Sequence, residues 1–584
     1  MINRRLPLAL LVVVIAASCA RPPVNRPVIV IGWDGADWQL LDELMAQGSM
    51  PELSALVSAG TAGTLRTIHP PLSPIVWTTM MTGRGPLDHG VLDFTRFDPA
   101  SRIREPIGSA ERRVPAVWTI ASTARRTVGV FGMWATYPAE AVSGVMVSDR
   151  LMSFQNDAQP AASRAVFPET RQAWAEGALA KAEAAADAAA LDRYAPGIAR
   201  DARLSEGLRR VLVATAVYDD LAASWFDEAH PDLTILYVQG TDAIGHLFAP
   251  YRPPPMKGVA AEAIARWGRV PDLYYAEADR RLGAWRRRAE KAGAALVLVS
   301  DHGFTWGAGR PAGGGSAAAA TAGRWHRDDG IYVLVRPGVV AGGAARGHGE
   351  AAQVAPTLLA LLGLPSGRAM PEPLAGITPA PGSPAEYAAP TAAPGAAPEH
   401  GDDPTASEAI ANLRTLGYVG AAEPDRPSGL DPASTRTAGS WSNEGLIVLE
   451  AGRTAEAKAA FEHALTVDPQ HAASLWNLAQ LLAGEGDAAA EPTLLRAVAA
   501  GSADAAKRLS DRARERLQAG DCRGALNDVL AVAAANPSSA VAPAAEGLAR
   551  MCLGDPVRAA AALRRSLAID PDQPEIVRAL GSLR

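Results

Sequence analysis

Five short apolar segments, rich in β-branched residues, alternate with helix-like segments over the first 365 residues of a 584-residue chain. Continuous apolar runs of this length are typical of strands buried on both faces, as in a parallel sheet whose connections are helices. The alternation therefore predicts an α/β domain, with helices flanking a mostly parallel sheet, over 26–365. The five segments are VIVIGW, TVGVFGM, LTILYVQG, AALVLVS and GIYVLV.

A chain of this length is too long for one hydrophobic core, so further domains are expected. Residues 154–231 are Ala-rich with a helical pattern, which predicts a helical insertion in the α/β domain. Residues 366–438 are rich in Pro, Ala and Gly, the composition of a linker. Within the linker, the apolar spacing of 408–417 predicts a short docked helix that stops at a Gly. The low-complexity run 307–323 predicts a mobile loop.

Residues 439–584 repeat with a period of 34 residues. Glycines and prolines mark this period, at Gly452, Gly486, Gly520 and Gly554 and at Pro469, Pro537 and Pro571. In Ala- and Leu-rich sequence, the period resembles the tetratricopeptide repeat (TPR), with Gly at the turn inside each helix pair and Pro after the second helix. The resemblance implies an all-α TPR solenoid that presents a groove to a protein partner, with a purely structural role as the alternative.

Two cysteines lie near glycines of this repeat, Cys522 two residues after Gly520 and Cys552 two residues before Gly554. Cys522 begins a predicted second helix, and Cys552 ends the following first helix. Because those helices run antiparallel, the two thiols can approach each other. A disulfide is predicted for an oxidising compartment, and two small buried thiols are the alternative.

The N-terminus has the pattern of an export signal. Arg4 and Arg5 precede a ten-residue apolar run that is too short to span a bilayer and is followed by small residues before Cys19. The sequence AASC resembles a bacterial lipoprotein signal, which implies a signal peptide over 1–19. Lipidated Cys19 would then anchor the protein in the bacterial envelope, on the outer membrane facing the periplasm. Ala16 stands where that family has Leu, so secretion with cleavage nearby is the alternative.

Three aspartates follow strand-like segments, at Asp34, Asp242 and Asp301. In open parallel sheets, ligands collect at the carboxyl ends of the strands, so the three carboxylates are expected to converge. His246 lies four residues after Asp242, on the same face of a helical turn, and His302 directly follows Asp301. This mixture of Asp and His suits zinc, with manganese or iron as alternatives.

A third histidine is needed to complete two metal sites. His326 lies just before the segment GIYVLV, and His348 is the competing candidate further along the chain. Position in the sequence does not separate the two.

Ser73, in the stretch PPLSPIVWTTMMTG, has two interpretations. Ser followed by Pro is a helix-start signal, so Ser73 could simply cap a helix. It could also be a nucleophile, and Thr78 and Thr79 are the alternatives for that role. Both threonines lie one turn further along the helix, where their side chains are expected to pack against neighbouring residues.

Five motifs, in this order, resemble the alkaline phosphatase superfamily, in the branch of type I phosphodiesterases and nucleotide pyrophosphatases: VIVIGWDGADW, LSPIVWTTMMTGRGPLDHG, TDAIGH, SDHGF and WHRDDGIYVLVRPG. The resemblance covers most of 28–365. It implies two zinc ions, one held by Asp34, Asp301 and His302 and the other by Asp242, His246 and His326.

The same resemblance implies the nucleophile. In the type I phosphodiesterases, the nucleophile is a Ser or Thr nine residues before the Thr of a TG pair. Counting back nine residues from Thr82 reaches Ser73. Ser73 would also bind the first metal and form a covalent phospho-Ser intermediate. Two metals can hold the attacking and leaving oxygens of a displacement at phosphorus.

The chain departs from related patterns at two points. Nucleotide pyrophosphatases carry an Asn twelve residues after that Thr, where this chain has Phe94, so nucleotide diesters are disfavoured. Sulfatases need a Cys or Ser followed by x-P-x-R, which SPIVW does not provide. Arg84, His69 and Arg327 lie near the motifs and could contact substrate or be solvated.

The sequence therefore predicts an exported, lipid-anchored, metal-dependent hydrolase of phosphate esters, with TPR repeats that bind a protein partner. A phosphotransferase acting on envelope head groups is one alternative. A TPR scaffold with an inactive phosphatase-like domain is another, although all six ligand candidates and Ser73 are present. A net charge of -6, without a block of Lys or Arg, argues against a nucleic-acid partner.

Overall fold

The computed structural model describes residues 26–98, 102–154, 164–256, 258–311, 322–339, 345–383, 385–387, 409–411, 413–414, 419, 435–535 and 540–583. The predicted signal segment with Cys19 lies outside these residues, as do 312–321 of the low-complexity run and much of the linker. Within the described part of the chain, no helix has the length and apolar character needed to cross a bilayer.

The strands of the N-terminal domain are β1 Val28–Trp33, β2 Thr61–Arg66, β3 Thr95–Phe97, β4 Arg104–Pro106, β5 Val128–Phe131, β6 Gly144–Val147, β7 Val166–Phe167, β8 Leu233–Val238, β9 Ala295–Val299, β10 Gly303–Phe304, β11 His326–Arg327, β12 Asp329–Val335 and β13 Gly347–Glu350. Nine of them form one sheet, in the order β13-β2-β12-β9-β1-β8-β5-β6-β7. The pairs β3–β4 and β10–β11 form two small separate sheets.

The large sheet is mostly parallel, as predicted. Strand β1 is central and pairs in parallel with β8 and β9. The segment GIYVLV lies within β12, which runs antiparallel to β9 and β2. The described part of the connection from β9 to β12 contains the small β10–β11 sheet and no α-helix, whereas parallel neighbours need a long crossover.

The helices of this domain are α1 Trp38–Ala46, α2 Pro51–Ala59, α3 Ser73–Thr82, α4 Pro86–His89, α5 Val117–Thr123, α6 Gln172–Ala185, α7 Ala188–Tyr194, α8 Ala202–Ala229, α9 Gly240–Phe248, α10 Ala261–Trp267, α11 Val270–Ala292 and α12 Val354–Leu361. They cover both faces of the sheet. Alternate residues of β1 reach opposite sides, because Ile29 and Ile31 pack with α8 and α11 whereas Val28 and Val30 pack with α3, α5 and α12.

The C-terminal part is all-helical, as predicted. Its helices are α13 Ala438–Glu450, α14 Thr454–Val467, α15 Ala472–Glu485, α16 Ala490–Ala499, α17 Ala503–Gln518, α18 Cys522–Ala535, α19 Val541–Cys552, α20 Pro556–Ile569 and α21 Pro574–Gly581. The four period-marking glycines all have a positive φ at the turn inside a helix pair, which explains their spacing. A disulfide joins Cys522 and Cys552, whose Cα atoms are 5.9 Å apart, so this prediction is confirmed.

Two segments connect these parts. The first repeat helix contacts the α/β domain, where Asn443 Nδ2 donates to the carbonyl of Leu92 at 2.8 Å. In the linker, residues 409–411 and 413–414 are helical and are called the linker helix below. Ile410 and Leu413 of the linker helix are buried.

Candidate active site

The three aspartates singled out in the sequence come together at the carboxyl ends of adjacent strands. Asp34 directly follows β1, and Asp301 lies two residues after β9. Asp242 is in the first turn of α9, which follows β8. All three carboxylates are completely buried. The order β9-β1-β8 makes these strand ends neighbours, which is why residues far apart in sequence share one site.

Asp34, Asp301 and His302 form the first cluster, in which one ligand atom of each residue lies within 4.8 Å of the others. His302 Nε2 is 3.4 Å from Asp34 Oδ1 and 3.3 Å from Asp301 Oδ2. Its Nδ1 is 3.1 Å from the carbonyl oxygen of Gly303. Because a carbonyl only accepts, Nδ1 donates this hydrogen bond, which leaves Nε2 facing the two carboxylates as the nitrogen that could bind a metal.

Asp242, His246 and His326 form the second cluster, with the same separation limit of 4.8 Å. His246 Nε2 is 3.2 Å from Asp242 Oδ2, and His326 Nε2 is 3.6 Å from Asp242 Oδ1. The Nδ1 of His326 donates to the carbonyl of Pro71 at 2.8 Å, so its Nε2 also presents a lone pair. The rings of His302 and His326 stack 3.8 Å apart, which places the two clusters side by side.

His348, the competing third histidine, lies elsewhere. It is on the edge strand β13, and its Nδ1 is 2.9 Å from Thr64 Oγ1 in an exposed position. Neither cluster includes it. The fold thus brings His326, and not His348, to the other five candidates.

Ser73 is the first residue of α3 and does not cap it. The helix is capped by Leu72, whose carbonyl accepts from the backbone N–H groups of Ile75 and Val76. No side chain caps the helix, so the capping interpretation of Ser73 is wrong. The Ser73 hydroxyl instead turns toward the first cluster, 3.3 Å from Asp34 Oδ1 and 3.4 Å from His302 Nε2.

The position of Ser73 also has an electrostatic consequence. The N-terminus of an α-helix carries partial positive charge and favours anions. Ser73 is at that end of the ten-residue helix α3. The alternatives Thr78 and Thr79 are buried further along it, and their hydroxyls donate back to the carbonyls of Pro74 and Ile75.

Burial shifts the acid–base behaviour of both clusters. Burial, with the neighbouring Asp301 and Asp242 carboxylates, raises the pKa of Asp34 well above its ordinary value. Burial likewise raises the pKa of Asp301 to about 8. For Asp242, burial acts to raise the pKa, but His246 and His326 outweigh it and lower the value. Burial lowers the pKa of His326, which favours the neutral ring that a metal requires.

These groups fit a pair of divalent cations. Several buried carboxylates and imidazole lone pairs face each other, an arrangement that is repulsive unless positive charge lies between them. The donor set of Asp oxygens and His nitrogens is one that zinc accepts. The backbone carbonyls that orient His302 and His326 complete a common arrangement of metal-binding histidines.

Three further side chains support the site and were not found from the sequence. The hydroxyl of Tyr237, on β8, donates to Asp34 Oδ2 and accepts from Trp134 Nε1 at 2.6 Å. Thr241 Oγ1 donates to the backbone carbonyl of Asp34 at 2.6 Å. All three lie in or beside predicted strands, but an isolated Tyr, Trp or Thr there is typical of ordinary packing.

The three polar residues suggested as substrate contacts all have acidic partners. Arg327 Nη1 is 2.8 Å from Asp37 Oδ1, and this carboxylate also accepts from the backbone N–H of Gln39 at the start of α1. The other two pairs are His69 with Asp328 and Arg84 with Asp88. Asp37–Arg327 therefore links the segment after Asp34 to the strand carrying His326.

The model of the family described as type I phosphodiesterase / nucleotide pyrophosphatase matches residues 28–361. The match covers more than half of the chain and contains both clusters and Ser73. The protein therefore belongs to the type I phosphodiesterase / nucleotide pyrophosphatase family, and an added helical region follows the matched part. No curated protein matches the chain significantly.

Solved structures also resemble parts of the chain. Phosphonoacetate hydrolase from Sinorhizobium meliloti 1021, in complex with phosphonoformate, is 19% identical, over 48% of this chain and 57% of that chain, with a TM-score of 0.31. An inactive murine ectonucleotide pyrophosphatase / phosphodiesterase 5 in complex with AMP is 16% identical over the same shares, with a TM-score of 0.28. MamA from Desulfovibrio magneticus RS-1 is 21% identical over 25% of this chain and 82% of that chain, with a TM-score of 0.18. The chain thus spans little more than half the length of the first two structures.

Proposed function

We propose that this protein is an exported two-zinc phosphoesterase, a phosphodiesterase or phosphatase, which works through a covalent phospho-Ser73 intermediate. The observation that carries the proposal is the position of the Ser73 hydroxyl at the end of α3, 3.3 Å from Asp34 Oδ1 and beside a second Asp–His cluster. This arrangement supports a nucleophile beside an anion-favouring helix end and two groups of side chains that could hold metal ions.

The two clusters would each hold one zinc ion. Asp34, Asp301 and His302, with Ser73, would form one site, and Asp242, His246 and His326 the other. When bound, zinc acts as a Lewis acid that favours an alkoxide nucleophile and stabilises negative charge on phosphoryl oxygens.

The remaining chemistry falls to the side chains. Ser73 Oγ attacks phosphorus and gives up its proton to solvent, the new O–P bond forms as the bond to the leaving alcohol breaks, and the departing alkoxide takes up a proton from solvent. Asp34 Oδ1 accepts the hydrogen bond of Ser73 in the resting state and so orients a lone pair of Oγ. Attack of water on phospho-Ser73 then releases phosphate or a phosphomonoester and restores the serine.

The proposal extends to the other predicted features. Export and anchoring through lipidated Cys19 rest on the N-terminal sequence, and binding of a protein partner rests on the repeats. The disulfide between Cys522 and Cys552 supports an oxidising compartment.

Hydrolysis of bis-p-nitrophenyl phosphate and of p-nitrophenyl phosphate, by wild type, Ser73→Ala and Thr78→Val, tests the reaction. Thr78→Val is a matched control, because it removes a hydroxyl from the same helix that bonds only back to Pro74. We expect turnover in wild type and in Thr78→Val, and we expect Ser73→Ala to have lost it. The preferred ester distinguishes a diesterase from a monoesterase. Equal turnover in all three proteins would refute Ser73 as the nucleophile.

A further inference from the structure

A cavity of about 110 Å³ lies at the carboxyl end of β8, beside Tyr237 and the start of α9. Its walls include Trp134 and Tyr237, the pair whose hydrogen bonds lead to Asp34. Gly240 and Ala243 also line it, from the helix that carries Asp242 and His246. The cavity therefore shares Trp134 and Tyr237 with the hydrogen bonds that reach Asp34, while its described lining contains neither Ser73 nor any of the six candidate ligands.

Part of the cavity wall comes from the linker, far along the chain from the other walls. Ala409 and Leu413, both on the linker helix, line the cavity. Leu413 is 4% exposed, as is Ile410 on the same short helix. Both belong to an apolar cluster with Phe94 and Val419, against which Leu72 and Trp134 also pack.

Two of the residues that pack against the linker helix, Leu72 and Trp134, are also connected to the candidate active site. Leu72 is the residue before Ser73 and caps α3. Trp134 contacts Phe94 edge to face, with ring centroids 5.5 Å apart, and donates to Tyr237. Phe94 is 1% exposed, and its side chain packs against Ile410 and Leu413 of the linker helix.

We propose that the linker helix forms the outer wall of a subsite for the group esterified to the phosphate, and that Ala409 and Leu413 select which groups enter. This rests on the proposed phosphoesterase function. Apolar side chains, among them Val211, Ala214 and Val238, make up most of the lining, and the charged residues Asp149, Arg150 and Arg210 also contribute to it. A cavity of about 110 Å³ suits a group about the size of one aromatic ring, given that cavities of roughly 150 Å³ accept benzene. The preferred substrates are therefore phosphate esters of compact apolar or aryl alcohols.

Two esters and a pair of matched variants test the subsite in the full-length protein. The esters are phenyl p-nitrophenyl phosphate and methyl p-nitrophenyl phosphate, which share a leaving group and differ in the second group. Ala409→Phe places a ring in the cavity, whereas Ala411→Phe places the same ring on the exposed side of the linker helix.

Wild type is expected to prefer the phenyl ester in kcat/KM by about 10-fold or more, as expected for an apolar group that fills a pocket. Ala409→Phe is expected to lower kcat/KM for the phenyl ester by about 10-fold and to leave the methyl ester within about 3-fold. Ala411→Phe should change neither ester.

If Ala409→Phe does not fold, Leu413→Ala replaces it, with the melting temperature as the check on folding. Loss of the Leu413 contact is expected to lower kcat/KM for the phenyl ester selectively. Equal effects on both esters, or none, would overturn the subsite while the phosphoesterase function stands. Failure of wild type to hydrolyse either diester, with p-nitrophenyl phosphate still hydrolysed, would overturn the subsite alone, and failure on all three esters would overturn both proposals.

Discussion

His246 Nε2 and His326 Nε2 face each other at 3.1 Å, although 80 residues separate them in the chain. His246 is carried by α9, and His326 lies on β11. Both nitrogens lie close to the carboxylate of Asp242. Two imidazoles and a carboxylate that converge in this way could hold one divalent cation.

His326→Ala is therefore expected to remove one metal ion from each chain, and His348→Ala none. Turnover of bis-p-nitrophenyl phosphate should fall by at least about 100-fold in His326→Ala, because even residues that only orient a ligand cost 10–100-fold. Metal content by elemental analysis, with turnover, measures both effects. His348→Ala is the control, since His348 contacts Thr64 on the sheet edge. Loss of metal in His348→Ala alone would show that the second site is assigned to the wrong histidine.

Tyr237→Phe is expected to lower kcat by about 10-fold without loss of folding, since it removes the hydroxyl that orients Asp34 Oδ2. Tyr274→Phe is the matched control, because its buried hydroxyl bonds Thr215 at 2.6 Å. The measurements are kcat, zinc affinity and melting temperature. Equal changes in the two variants would mean that the Tyr237 hydroxyl contributes to packing alone.

His89 is expected to make the protein less stable in acid. Burial, and then the nearby Arg112, lower the pKa of His89 from 6.5 to about 3. Between these values the unfolded chain binds a proton that the folded protein does not, so stability falls as the pH falls through this window. From pH 7 to pH 5 the loss is about 2 kcal/mol.

His89→Asn, which keeps an acceptor for the backbone N–H of Val91, should reduce that pH dependence. Urea unfolding at pH 7 and pH 5, for wild type and variant, gives the difference directly. Parallel losses of stability in the two proteins would contradict a neutral His89 in the folded state.

The disulfide between Cys522 and Cys552 is expected to contribute about 3–4 kcal/mol to stability, from the loop-closure entropy of a 30-residue separation. Reduction should lower the unfolding free energy of the helical region by that amount. Cys522→Ser should have the same stability in oxidising and reducing buffer. Wild-type stability that does not respond to reductant would show that the bond is not formed in solution.

The sequence was most informative where the fold follows from local patterns. Apolar strands followed by Asp34, Asp242 and Asp301 predicted a sheet that the structure contains, because the ends of parallel strands converge whatever lies between them. The spacing of the repeat glycines predicted the helical turns for a similar reason, since only the local backbone conformation is needed.

Features that depend on tertiary contacts did not follow from local residue patterns, and the place of Ser73 beside the first cluster was predicted only through the family resemblance. Ser73 is a good capping residue by type, yet its side chain turns to Asp34 because the cluster lies directly beside the helix start. Phe94 was notable in the sequence only as a departure, whereas its role is to pack against Trp134 and the linker helix. Strand β2 has the sequence TAGTLR, which contains too few apolar residues to be recognised as a strand from sequence. Its extended conformation depends on hydrogen bonds to β12 and β13.

The most direct test of the account is the zinc content of the purified full-length protein, measured together with turnover of bis-p-nitrophenyl phosphate and p-nitrophenyl phosphate, for wild type and Ser73→Ala. The account predicts about two zinc ions per chain in both proteins and turnover in wild type, with a loss of at least about 10³-fold in Ser73→Ala. Protein that binds no zinc and stays inactive when zinc is added would contradict it.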